Sequence, residues 1–251
     1  MIKKFELDLS SKKTVFGIEM FRIRALISFR DVKKGDLGGY VEKEENLSHY
    51  GNAWIYDDAQ VYGDAMVYDK AWVYGNAKVF SDAQVYGNAE VSGNAKISGN
   101  AEVYGNAEVS GNAEVYGNAV VYGDAMVYDK AWVYGNAKVF SDAQVYGNAE
   151  VSGNAKISGN AEVYGNAEVS GNAEVYGNAE VSKLNDYIVF KNNWSSGRYF
   201  TYTRSNKMWR VGCFYGTEEE LVEKAYLDSE NSGKHYESYV NLVKTLEKLE
   251  K

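Results

Sequence analysis

From Ile55 to Val181 every sixth residue is Val or Ile, which gives 22 aliphatic positions without one slip of phase. A period of six matches neither the 3.6-residue repeat of a helix nor the plain alternation of a half-buried strand. Each unit reads as Ala101-Glu102-Val103-Tyr104-Gly105-Asn106 does. Ala and Val, two apart, share one side of a strand, and the residue between them points to the other. Gly-Asn then supplies a corner, because both residues tolerate positive φ. One such unit buries no apolar side alone, whereas stacked copies do, so the period is the signature of a parallel β-helix.

The pattern of an aliphatic residue, a small residue two places before it, and Gly, Asp or Asn between resembles the hexapeptide-repeat family. That resemblance implies a mainly β protein built on a single-stranded left-handed parallel β-helix with three hexads per coil. The 22 hexads then predict about seven coils, and a prism roughly 35 Å long at ~4.8 Å per coil. Its interior is expected to be a filled stack of Val and Ala with no ligand cavity.

A second repeat lies above the first, since residues 61–119 are identical to residues 121–179. An undrifted copy is what either a recent recombination or a deliberate lengthening leaves behind. Its 60-residue offset is ten hexads, which is not a multiple of three, so the second copy is turned by one face. Columns 18 apart therefore place Tyr68, Tyr86, Tyr104, Tyr122 and Phe140 in one aromatic ladder, and Tyr128, Tyr146 and Tyr164 in another. The copy scrambles most single-face arrays, which favours a role in length over a tuned surface.

Three domains are expected. Residues 1–50 lack hexads, and the apolar run between Thr14 and Phe29 predicts a β-rich N-terminal cap. Residues 51–182 form the solenoid. Residues 183–251 predict a small α+β domain, with strands at Tyr187 to Lys191, Arg198 to Arg204 and Met208 to Val211. Two helices follow, one opening at the capping box Thr217-Glu218-Glu219-Glu220 and one from about Ser232 with Tyr236, Tyr239, Val240, Val243 and Leu246 as its apolar stripe. The segments Gly35-Asp36-Leu37-Gly38-Gly39-Tyr40-Val41-Glu42, Gly51-Asn52-Ala53-Trp54 and Gly212-Cys213-Phe214-Tyr215-Gly216-Thr217 resemble phage and prophage hexapeptide-repeat proteins of unknown function. Those proteins are often labelled transferases or polymer-forming proteins, and Tyr40 stands where they commonly carry Trp.

The charge is uneven, with 10 basic against 8 acidic residues in 1–50, 6 against 17 in 51–182, and 11 against 10 in 183–251. An acidic rod repels nucleic acid, so no direct nucleic-acid partner is expected. Lys78, Lys96, Lys138 and Lys156 interrupt the acidic columns and weaken any mimicry of nucleic acid. The single Cys213 and the lack of an apolar run after Met1-Ile2-Lys3-Lys4 predict a cytoplasmic protein with no disulfide and no membrane partner.

Hexapeptide acyltransferases, by the same resemblance, use a catalytic histidine, and related zinc carbonic anhydrases need three histidine ligands. Here only His49 and His235 occur, with one Cys, so no catalytic residue, metal or cofactor is assigned. His49 is expected to fill the aliphatic position of an imperfect first hexad. Uninterrupted hexads leave no loop to shape an acyl-acceptor pocket. The candidate binding surface is aromatic: Trp54, Trp72 and Trp132, read as exposed, and the ladder Tyr68, Tyr86, Tyr104, Tyr122 and Phe140, which either shields the backbone or stacks on a ligand. The expected function is a non-enzymatic scaffold or protein-binding module of phage type, with an unknown protein partner or self-association. The alternative is a phage inhibitor of a host defence or nucleic-acid-handling protein acting through an acidic face, and an acyltransferase ranks third.

Overall fold

A computed structural model describes residues 2–249. Two antiparallel strands, β1 (Phe5–Val15) and β2 (Ile18–Ala25), turn at Phe16-Gly17, where both φ angles are positive, 52° and 83°. β2 pairs antiparallel with β3 (Leu37–Val41), and β3 pairs parallel with β5 (Gln60–Val61). The hairpin thus runs straight into one wall of the solenoid. The wall begins inside the segment read as a cap, because Val41 and Leu47 already occupy inward positions opposite Val61 and Val67.

Two-residue strands then recur every six residues from β4 (Trp54–Ile55) to β25 (Glu180–Val181) and distribute into three parallel walls. With β3 and the Leu47 bridge added, each wall is eight strands deep. The solenoid therefore has eight turns where the hexad count predicts about seven. The first turn escapes a period of six because eight residues separate Leu47 from Ile55. Leu47, 1% exposed, and not His49, holds the aliphatic position of the first coil.

The expected Ala and Val stack is the core, and every Ala and Val at the repeating positions from Ala53 to Val181 is fully buried. Each buried Val contributes roughly 1.5–3 kcal/mol, so the repeat accumulates its stability coil by coil. Gly stands at most corners with φ near 70°, and Asp69, Ser81, Asp129 and Ser141 take its place at φ of 59° to 63°.

The C-terminal sheet has four antiparallel strands: β26 (Tyr187–Lys191), β27 (Tyr199–Thr203), β28 (Met208–Val211) and β29 (Phe214–Gly216). The fourth is one more than the sequence predicts, because Phe214-Tyr215-Gly216 is too short to show alternation. α1 (Glu218–Asp228) opens at Thr217, whose side chain accepts from the Glu220 N–H while Glu220 returns a bond to the Thr217 N–H. α2 (Glu230–Leu249) lays Tyr236, Val240 and Val243 against Phe200, Tyr202 and Trp209 as a second core. No described helix is long and apolar enough to cross a membrane.

Candidate functional site

The aromatic column forms as the 18-residue spacing predicts. Tyr68, Tyr86, Tyr104, Tyr122 and Phe140 stack with ring centroids 4.7, 4.8, 5.1 and 5.0 Å apart and ring planes within 12° of parallel. Tyr128, Tyr146 and Tyr164 form the second ladder at 4.9 and 5.2 Å. Two-ring stacks, Tyr62 on Phe80 and Tyr116 on Tyr134, occupy the third corner. The rings are half-buried, each lying over its own corner.

Five of the hydroxyls bond the outward-pointing side chains of the wall. Tyr68 donates to Gln84, Tyr86 to Glu102, Tyr128 to Gln144, Tyr134 to Glu150 and Tyr146 to Glu162, at 2.8–3.1 Å. In each case the acceptor lies 16 residues on, on the wall of the next coil. Burial and the carboxylate acceptor together push the Tyr86 and Tyr146 hydroxyls well above the ordinary tyrosine range. The stacked rings, and the hydroxyl bonds of Tyr68, Tyr86, Tyr128, Tyr134 and Tyr146, fasten coil to coil.

The three tryptophans separate. Trp54, read as exposed, is 1% exposed; it packs edge-on against Phe5 and Phe29 of the N-terminal cap. Trp72, its register partner, is half-buried beneath the Arg30 guanidinium at 4.2 Å, with Tyr56 against its edge. Trp132 stands on a different wall between Glu114 and Glu150 and is 41% exposed. Trp72 and Trp132 are the same residue of the two sequence copies. The cap contributes the Arg30 cover to one, and the other faces solvent.

The residues that close the ends carried no sequence signal. At the N-terminal end Lys4, buried at 1% exposure, donates to the Ala53 carbonyl at 2.8 Å and sits 5.4 Å from the Phe29 ring. Burial pushes its amine down to about 8. His49 stacks on Phe5 at 4.3 Å and accepts from the Lys4 N–H through Nδ1, while Nε2 lies 3.5 Å from Glu44. At the other end Thr201 and Ser205 accept the Glu174 and Glu180 N–H groups, and Tyr187 meets Glu168 and Ser170. His235 bonds the Asn231 carbonyl of its own helix. Cys213 is free and exposed. Among the described residues no group of three or more His, Cys, Asp or Glu is placed to hold a metal ion.

Fold and surface together define a repeat β-helix protein closed at both ends. A family model, the YdcK beta solenoid repeat, matches residues 59–75 and 121–135, two stretches of the solenoid that begin near the starts of the two copies. No curated protein matches the chain.

Proposed function

We propose that this chain is a non-enzymatic scaffold of phage or prophage type, in which a rigid β-solenoid sets the distance between two capping domains that carry the binding specificity. The carrying observation is where the duplicated block lies relative to the caps. The N-terminal cap grips the solenoid through Lys43 on Asp64, Arg30 on Trp72, and Asn46 on the Gly63 and Ala65 carbonyls. All of those partners recur 60 residues later, as Asp124, Trp132, Gly123 and Ala125. The C-terminal domain grips residues from Glu168 onward. Block length is thus free to change while both grips persist, as a spacer requires.

The partner on this reading is a protein or a second copy of the chain, met through the caps, with no nucleic acid or membrane involved. The exposed free thiol of Cys213 suits a reducing cytoplasm. The acidic walls favour this reading over an inhibitor that imitates nucleic acid. Glu90 and Glu108 are followed on their wall by Met126 and Gln144 before Glu162 and Glu180 resume. Lys96 and Lys156 pair with Glu114 and Glu174 on the other two walls.

The test removes residues 61–120, so that Gln60 runs into Val121 in unbroken phase. Spin labels placed close to the solenoid axis on the two caps should report a distance shorter by about 16 Å at ~4.8 Å per coil, with one cap turned by a third of a turn and an equally narrow distribution. Proteins captured from a bacterial lysate should be the same for both lengths. A broad distance distribution would sink the rigid spacer, and a partner lost on shortening would move the binding site onto the walls.

A further inference from the structure

One corner column is continuous through both copies. Asn100, Asn118, Asn136, Asn154 and Asn172 form a chain in which each Nδ2 donates to the Oδ1 of the next, at 3.1, 3.1, 3.1 and 3.3 Å. The other corners carry shorter runs, interrupted by Asp124 or Lys130. All four bonds of the long chain run toward the C-terminal end. Amides joined head to tail polarise one another, so the donor at the end of the chain is strengthened. That donor is Asn172 Nδ2, which meets no acceptor among the described residues.

Asn172 opens into a cleft of about 300 Å³ between the last coils and the C-terminal sheet, lined also by Lys156, Glu174, Arg198, Tyr199 and Arg210. Three cations there face one carboxylate. Glu174 is already taken, by Lys156 Nζ at 2.9 Å and Arg210 Nε at 2.9 Å. Burial pushes its carboxyl up, yet the two hydrogen bonds outweigh burial and hold it below the ordinary range. Arg198 is exposed and has no ion pair among the described residues. The wall below carries Lys156, Lys138, Val120 and Glu102 in turn and does not offset this excess of cations, so the cleft is a local patch of positive potential on a solenoid with 6 basic against 17 acidic residues.

We propose that the cleft is a binding site for a phosphate group, free or as the monoester of a small molecule, held by Arg198, Asn172 and the remaining N–H groups of Arg210, whose Nε and Nη1 already donate to Glu174 and the Cys213 carbonyl. A planar carboxylate is satisfied by one guanidinium fork, whereas a tetrahedral oxyanion accepts from donors arriving in several planes. Here the donors come from a coil corner, a strand of the cap and the loop before β27. The bound anion would bridge solenoid and cap. This site is independent of the scaffold reading, since a phosphate held there neither requires nor excludes a spacer.

The test titrates the full chain with inorganic phosphate, phenyl phosphate and acetate, followed by calorimetry and by the side-chain amide resonances of the asparagines. Phosphate is expected to bind with a dissociation constant of about 1 mM or tighter, and to shift the Asn172 amide pair, which is identified by its loss in Asn172→Asp. Arg198→Gln and Asn172→Asp should each weaken phosphate roughly tenfold. Neither substitution touches a core position, and circular dichroism checks that both variants stay folded. Phenyl phosphate binding tighter than phosphate would assign the site to monoesters, through the neighbouring Tyr199 ring; equal binding would assign it to the free ion. Acetate binding as well as phosphate, no saturable shift, or unchanged affinity in Arg198→Gln would overturn the proposal.

Discussion

The Tyr187 hydroxyl donates to the Glu168 carbonyl at 3.0 Å and accepts from the Ser170 N–H at 3.4 Å. One side chain thus supplies the last coil with the donor and acceptor that a further parallel strand would supply. Thr201 and Ser205 provide the acceptor half of that arrangement on the other two walls, at 2.9 and 2.8 Å. An edge met by separate hydroxyls presents no continuous template to a second solenoid, which addresses the main hazard of an open sheet.

Removing these hydroxyls should therefore weaken the end and expose it. Thr201 is 2% exposed, so Thr201→Val keeps its shape and strands the Glu174 N–H. The expected loss is about 1–2 kcal/mol in urea unfolding. The triple variant Tyr187→Phe, Thr201→Val, Ser205→Ala should self-associate further than the wild type in sedimentation velocity. A triple variant with wild-type stability and sedimentation would show that the edge is closed by other groups.

An aromatic ladder that fastens coil to coil contributes to stability ring by ring. Tyr104 lies between Tyr86 and Tyr122 at 4.8 and 5.1 Å. Tyr104→Ala loses two stacked neighbours and should cost about 2 kcal/mol. Tyr86→Phe keeps the stack and loses only the bond to Glu102, so its cost should stay below about 1 kcal/mol. Equal, negligible effects of both would favour a ladder kept for binding.

Corner glycines should divide by what lies over them. Gly105 has φ +77°, and a Cβ there would meet the Gly123 N and O at 2.9 and 3.0 Å. Gly171 has φ +69° with nothing within 4 Å. Gly171→Ala should cost about 1 kcal/mol, the left-handed backbone alone. Gly105→Ala should cost roughly 2 kcal/mol or more, since the coil below must also give way. Equal losses for the two would mean that the coils part easily and are not close-packed at the corners.

Inward positions were legible because each hexad repeats the same physical demand, so Ala and Val reveal the core 22 times over. The first coil was not, because the eight-residue step from Leu47 to Ile55 breaks the period that carries the signal. Stacking along the Tyr68 column was equally readable, being arithmetic on an 18-residue coil. Burial of the tryptophans was not. Trp54, Trp72 and Trp132 each lie between Ala and an aliphatic residue, and their exposure is decided by Phe5, Phe29 and Arg30, which are distant in sequence. The hydroxyl caps escaped for the same reason: Thr201 lies 27 residues from Glu174, with no periodic pattern joining them.

Lys4 carries the clearest pH dependence. Its ammonium is buried with one carbonyl acceptor, and burial lowers its folded-state pKa to about 8 from an unfolded value of 10.5. Between those values the unfolded chain binds the extra proton, so stability rises with pH across that window. Below it the desolvated charge destabilises the fold, by about 3 kcal/mol from the size of the shift. Lys4→Met removes the charge and keeps most of the apolar stem, although it leaves the Ala53 carbonyl without its donor. The tyrosines titrate alike in both proteins and cancel in the difference. Unfolding free energy of the wild type minus that of Lys4→Met should therefore climb from about pH 7 to about pH 10, with Lys4→Met no less stable at the lower end. A difference that stays flat, or that falls as the pH rises, would mean that the Lys4 amine reaches water in the folded protein.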